Sequence, residues 1–112
     1  MSESEFLALA EAALREIEQS FERAFDNDEV DVECSRSGNV LEIEFVDNGS
    51  KIIVNSQAPM QEMWIAAKSG GFHYKRVGQQ WINTRDGSEL FAALSVMASG
   101  QAGVTLQLSG RT

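Results

Sequence analysis

Carboxylates are the residues of this chain whose type and spacing could do chemistry. Each helical residue turns about 100°. Glu11, Glu18 and Glu22, separated by seven and four positions, therefore fall within about 40° of one another on one stripe. The stripe points toward Asp26, Asp28, Glu29, Asp31 and Glu33, five acids in eight residues with no basic residue among them. Hard cations such as Ca²⁺, Mg²⁺, Mn²⁺ and iron ions prefer carboxylate oxygen. A surface ridge of carboxylates, with no His or Cys to complete a shell, is expected to bind weakly and exchange readily. It suits holding or delivering a metal, not locking one into a catalytic centre. An EF-hand fails on spacing: counted from Asp26, the sixth position is Asp31 where Gly is required, and the twelfth is Ser37. The alternative is that these acids form a solvated face kept for solubility.

Charge distribution sharpens the first reading. Residues 1–33 hold eleven acids against Arg15 and Arg23, whereas residues 34–112 hold six acids against seven basic residues. The whole net charge of −8 thus originates in the first third of the chain. Charge of one sign costs folding energy through self-repulsion, so concentrating it calls for a cation or a basic partner surface.

Other chemistry finds little support. His73 is the single histidine and Cys34 the single cysteine, so neither a His-based metal site nor a Cys–His pair has more than isolated residues behind it. Cys34 is in phase with Val30 and Val32, which favours packing over nucleophilic use. One thiol excludes an internal disulfide, a cysteine-ligated zinc site and a cluster held by this chain alone. Ser37-Gly38 and Gly70-Gly71 lack the flanks of a phosphate loop. The expectation is a protein that is not an enzyme. An acidic balance argues against nucleic acid, and no apolar run nears the roughly 20 residues of a membrane span. The start Met1-Ser2-Glu3-Ser4-Glu5 is acidic where a signal peptide is basic. With one free thiol, these features predict a cytoplasmic domain.

The elements that position the acids follow from periodicity. Phe6, Leu9, Ala10, Ala13, Leu14, Ile17, Phe21, Ala24 and Phe25 recur at three and four, predicting an amphipathic helix over 4–25, capped by Ser4 or Ser2 and stopped at Asn27. From residue 30 the period becomes two. Val30, Val32 and Cys34 alternate with Asp31 and Glu33, and Leu41, Ile43 and Phe45 alternate with Glu42 and Glu44. Turns are expected at Ser37-Gly38-Asn39 and Asp47-Asn48-Gly49. Further strands are expected over 51–55, 60–68, 72–76 and 80–84. Asp86 and Glu89 have capping-box spacing ahead of a second helix, with Leu90, Phe91, Leu94, Met97 and Ala98 on one face and Gly100 as its stop. Val104, Leu106 and Leu108 form a last strand or an extended segment over the helices. The predicted fold is a single α+β domain over 1–112. It is a two-layer sandwich with the N- and C-terminal helices on one face of a five- to six-stranded antiparallel sheet. The other sheet face is open to water. Alternation that buries Met63 and Ile65 puts Trp64 on that open face with Asn55 and Gln57, a composition suited to protein contact. The opposite phase would turn Trp64 inward. His73 is expected outward, and Trp81 is ambiguous.

The chain resembles the frataxin family, in its bacterial branch, over essentially its whole length. The similarity rests on Asn48-Gly49-Ser50-Lys51-Ile52-Ile53-Val54-Asn55, Gln57-Ala58-Pro59, Met63-Trp64-Ile65-Ala66, Gly70-Gly71-Phe72-His73-Tyr74, Trp81 and Arg85-Asp86-Gly87. Ser4-Glu5-Phe6 and the acidic ridge add to it. The resemblance implies two helices packed on an antiparallel sheet. It also implies weak, exchangeable binding of Fe²⁺ and Fe³⁺ through the ridge, and a part in iron–sulfur cluster assembly as iron donor or regulator. The implied partners are a cysteine desulfurase and a scaffold protein, with a monomer that forms oligomers when iron is present. Carried over by position, the metal-binding acids are Glu18, Glu22, Asp26, Asp28, Glu29, Asp31 and Glu33, and the partner contacts are Asn55, Gln57 and Trp64. Gln19 and Arg23 stand at ridge positions often acidic in bacterial relatives, implying capacity for fewer ions. Two alternatives stand beside this: a ferroxidase that stores iron in oligomers, and an acidic adaptor with no metal role. A ferroxidase would be expected to carry clustered Glu-x-x-His ligands, which the sequence lacks.

Overall fold

Helix α1 (Glu3–Asp26) begins at a reciprocal cap in which the Ser2 hydroxyl accepts from the Glu5 N–H and Glu5 accepts from the Ser2 N–H. The expected start at Ser4 or Ser2 is thus Ser2, and Asn27 is the stop. The computed structural model describes residues 1–110, so the last two residues of the span 1–112 lie outside the described residues. Phe6, Ala10, Ala13, Leu14, Ile17, Phe21 and Ala24 are buried along one arc of α1. Phe25 lies at the margin of that arc, one residue from the helix end, and is exposed, contrary to its expected place on the buried stripe.

Six strands follow: β1 (Val32–Ser37), β2 (Val40–Phe45), β3 (Ser50–Gln57), β4 (Glu62–Ala67), β5 (Gly70–Val77) and β6 (Gln80–Asn83). They pair in sequence order as one antiparallel meander. The first strand starts two residues later than its alternation suggested, leaving Val30 and Asp31 in the connection from α1. Register fixes the two faces. Arg36, Leu41, Val54, Ile65 and Phe72 form one cross-strand row beneath the helices. Ser37, Val40, Asn55, Trp64 and His73 form a row on the opposite, open face.

Helix α2 (Leu90–Ala102) is capped by Glu89, whose carboxylate accepts from the N–H groups of Phe91 and Ala92. Asp86 does not cap it, because its carboxylate is engaged by the Ser88 N–H and hydroxyl. Nor does Gly100 end the helix. The chain leaves it at Gly103, whose φ of 76° is the left-handed geometry a helix terminator needs. Gly100 stays within the helix on its exposed side.

The tail is an extended segment over the helices, not a strand. The Leu106 and Leu108 N–H groups donate to the Ser99 and Ser95 hydroxyls at 2.8 and 2.9 Å, and the Ser109 N–H donates to Ser20. Leu106 and Leu108 are buried. The core between the layers is closed by edge-to-face pairs, Phe6 on Trp81 and Phe21 on Phe45. Trp81 is therefore a core residue, with the Arg76 guanidinium over its ring. No helix among the described residues is long and apolar enough to cross a membrane.

Candidate functional site

The ridge acids gather where α1 passes the edge strand β1. Glu11 binds Arg36 of β1 and also pairs with Arg15, so its carboxyl is held below the usual range by those guanidinium groups, Arg36 first. Glu11 accordingly belongs to a local ion-pair network, and the unpaired part of the ridge begins further along the helix. Glu18 and Glu22 lie close enough to Cys34 of β1 for their charges to act on its thiol. Burial pushes that thiol up to about 12, and the two glutamates add to the rise. Cys34 packs against the core as a neutral thiol and offers no thiolate to a metal.

Beyond the helix the acids turn around the strand edge. Asp26 ends α1; Asp28, at a positive φ of 58°, and Glu29 lie in the connection; Asp31 immediately precedes β1. Glu33 is directly opposite Glu44 of β2 on the open sheet face. Asp31 therefore does not share a strand with Glu33 as expected, although both carboxylates are exposed. Glu18 is half-buried, and Glu22, Asp26, Asp28, Glu29, Asp31 and Glu33 are exposed. Ion pairs among the described residues involve Glu11, Glu42 and Glu62, and none involves these seven acids. Arg23, between Glu22 and Asp26 on α1, is exposed and donates through its guanidinium to the Ser109 carbonyl of the tail. Among the described residues no three His, Cys, Asp or Glu side chains converge as a metal cage. An open array of this kind can draw in a hard cation and bind it through one or two carboxylates, with water completing the shell.

The second set lies on the open sheet face. Trp64 of β4 pairs with Asn55 of β3 on one side and His73 of β5 on the other. Met63 and Ile65 are in the core, so Trp64 faces outward, half-buried. Its ring lies flat on His73, with centroids 4.5 Å apart and planes 10° from parallel. Asn55 and Gln57 are half-buried beside it, and Asn55 Oδ1 is a buried acceptor with no hydrogen-bond partner among the described residues. Reading the sequence missed Glu62. Its side chain is only 7% exposed, accepts from the Trp64 indole at 2.8 Å, and lies 3.3 Å from His73 Nδ1 and 3.9 Å from Lys75 Nζ. The available cue was the i, i+2 spacing of Glu62 and Trp64, which puts both on one face of a strand. A groove of about 850 Å³ between α1, α2, the β5–β6 hairpin and the tail includes neither set.

Comparison with known proteins bears on the family and the fold. A frataxin-like domain profile matches residues 1–104. The iron–sulfur cluster assembly protein CyaY of Janthinobacterium sp. (strain Marseille) is 70% identical over 108 residues, covering 96% of each chain. Its namesake from Cupriavidus metallidurans is 62% identical over the same length. Among solved structures, frataxin from Psychromonas ingrahamii superposes with a TM-score of 0.86 at 32% identity, covering 97% of this chain and 99% of that one. A trimeric yeast frataxin, solved in a ferrous complex, shares the fold with a TM-score of 0.68 at 24% identity and 85% coverage of this chain.

Proposed function

The chain belongs to the frataxin-like family, and we propose that it binds Fe²⁺ and Fe³⁺ weakly on the ridge and serves iron–sulfur cluster assembly. In this reading it is a cytoplasmic, single-domain accessory protein and not an enzyme. It acts as an iron donor for assembly, as a regulator of a cysteine desulfurase working with a scaffold protein, or as both. One observation carries the proposal: seven carboxylates, from Glu18 to Glu33, lie along one border of the fold with no ion pair among the described residues. Leaving so many like charges unbalanced costs stability, and a cation or a basic surface would relieve that cost. The name shared by its relatives, iron–sulfur cluster assembly protein, supports the process. The open face around Asn55, Gln57 and Trp64 supplies a second contact surface of the kind aromatic anchors provide.

The test is a single NMR titration series, first with Fe²⁺ under anaerobic conditions and then with the desulfurase. Signals of Glu18, Glu22, Asp26, Asp28, Glu29, Asp31 and Glu33 should shift with iron. The same border, together with Asn55, Gln57 and Trp64, should respond to the desulfurase. Charge reversal at Glu18 and Glu22 together should weaken both without unfolding the protein. An unshifted ridge on iron addition would leave a metal-independent adaptor. Oxygen consumption by monomeric protein on Fe²⁺ addition would point instead to a ferroxidase that stores iron in oligomers.

A further inference from the structure

We propose that Glu62 is a positioning residue of the open sheet face, fixing Trp64 and His73 in the arrangement that a docking partner meets. The inference rests on the docking reading given above and adds a residue through which that surface is built.

Burying a carboxylate is costly unless donors surround it. Glu62 keeps only 7% of its side chain in contact with solvent while pointing to the face otherwise open to water. Its surroundings explain how it can sit there. The Trp64 indole N–H donates to Oε1 at 2.8 Å, His73 Nδ1 stands 3.3 Å from the same oxygen, and Lys75 Nζ stands 3.9 Å from Oε2. Register makes the cluster: Gln57, Glu62 and Lys75 form one cross-strand row, and Asn55, Trp64 and His73 form the adjoining row. The carboxylate thus holds the indole by a hydrogen bond and stands beside the imidazole that stacks on it. Their parallel stack at 4.5 Å completes the constraint. A face whose aromatic anchor is already ordered spares its partner the cost of ordering it, worth roughly two- to tenfold in affinity for each side chain immobilised.

Two variants and one double variant test this. Glu62→Ala removes the acceptor, and Glu62→Gln keeps an oxygen for the indole while removing the charge. In free protein, Glu62→Ala should displace the Trp64 indole N–H signal and speed its hydrogen exchange about tenfold; Glu62→Gln should largely preserve both. Against the cysteine desulfurase, Glu62→Ala should lose about tenfold in affinity, and Glu62→Gln should stay within about threefold. Because Glu62 acts through Trp64, adding Glu62→Ala to Trp64→Ala should cause no further loss. Additive losses, or a Glu62→Gln variant as weak as Glu62→Ala, overturn the positioning role. An unmoved indole signal overturns it without any binding data. If the wild-type protein fails to bind the desulfurase, the docking reading itself falls and takes the positioning role with it, while a displaced indole signal still separates that failure from an error about the Glu62 clamp.

Discussion

Neutralising Glu18 and Glu22 should make the protein more stable and a poorer iron binder. Glu18, Glu22 and Asp26 are spaced by four along α1, which ends at Asp26. The double variant Glu18→Gln, Glu22→Gln removes two like-charge i, i+4 pairs, each costing about 0.2–0.5 kcal/mol. It also takes an acid from near the negative end of the helix dipole, worth a few tenths more. The gain is about 0.5–1.5 kcal/mol at low salt. For 112 residues the unfolding entropy is roughly 0.24 kcal/mol/K, so the melting temperature should rise by about 2–6 °C. Urea unfolding in 20 mM and in 500 mM NaCl checks the origin, because at the higher salt the screening length falls to about 4 Å and most of the gain should vanish.

Iron should respond in the opposite sense. A carboxylate 4 Å from a divalent cation is worth about 2 kcal/mol in water, so losing two should weaken Fe²⁺ at least about tenfold in an anaerobic titration. Opposite signs for stability and binding are the signature of charge kept for a ligand. A destabilised variant would mean that the glutamates have partners in the fold, which would refute the reasoning. A stability gain with unchanged iron affinity would return these acids to a solvated face.

Three further outcomes follow from the scaffold. Gln101→Leu should cost about 1–3 kcal/mol in urea unfolding, because the buried amide accepts from the Lys68 N–H and donates to Ser50 Oγ and the Lys51 carbonyl, leaving part-buried backbone groups unmatched. Ser95→Ala with Ser99→Ala should cost about 2 kcal/mol and speed amide exchange at Leu106 and Leu108, whose N–H groups those hydroxyls accept, with iron affinity unchanged. The Cys34 thiol, raised to about 12 in the fold, should resist thiol reagents at pH 8 until urea unfolds the chain. Its unfolded form loses its proton first, so the stability it contributes is fully present below the unfolded pKa and is lost as pH rises toward about 12. Comparing the wild type with Cys34→Ala at pH 8 and pH 10 isolates that loss.

What was legible in the sequence was whatever depends on near neighbours. Period two from Val40 to Phe45 and the turn at Asp47-Asn48-Gly49 placed β2 and β3, and the three-and-four spacing of Phe6 to Ala24 placed α1. The alternation that buries Met63 and Ile65 also put Trp64 outward. Features set by distant contacts were not legible. Gly100 and Gly103 are equivalent by composition, and Gly103 ends α2 where the chain turns to lay Leu106 and Leu108 across the helix. The contact of Arg23 with the tail could not be read from spacing, because Ser109 is 86 residues away. Glu62 was unremarkable until register brought Trp64, His73 and Lys75 around it. In the same way, Glu11 joined the acidic stripe by its spacing and left it through Arg36, a partner on another element.

The ridge and the Trp64 face are joined by the sheet yet too far apart to sense each other through space. Glu33 lies on β1 in a row with Glu44 and Lys51, whereas Trp64 lies on β4 in the row of Asn55. Three strand spacings across and four residues along separate the two rows, roughly 14 Å by 13 Å, or about 20 Å on the diagonal. That exceeds twice the screening length of about 8 Å at physiological salt. An ion on the ridge therefore cannot change the energy of a contact at Trp64 by its field. Any effect of iron on partner affinity must arise at the ridge itself, where the ion and a basic partner surface compete for the same carboxylates. Iron should then weaken the part of partner binding that is salt-sensitive and leave the part lost on Trp64→Ala unchanged. Measuring affinity for both proteins with and without iron, at two salt concentrations, separates these contributions. An iron effect that disappears in Trp64→Ala would require a conformational route through the sheet in place of competition at the ridge.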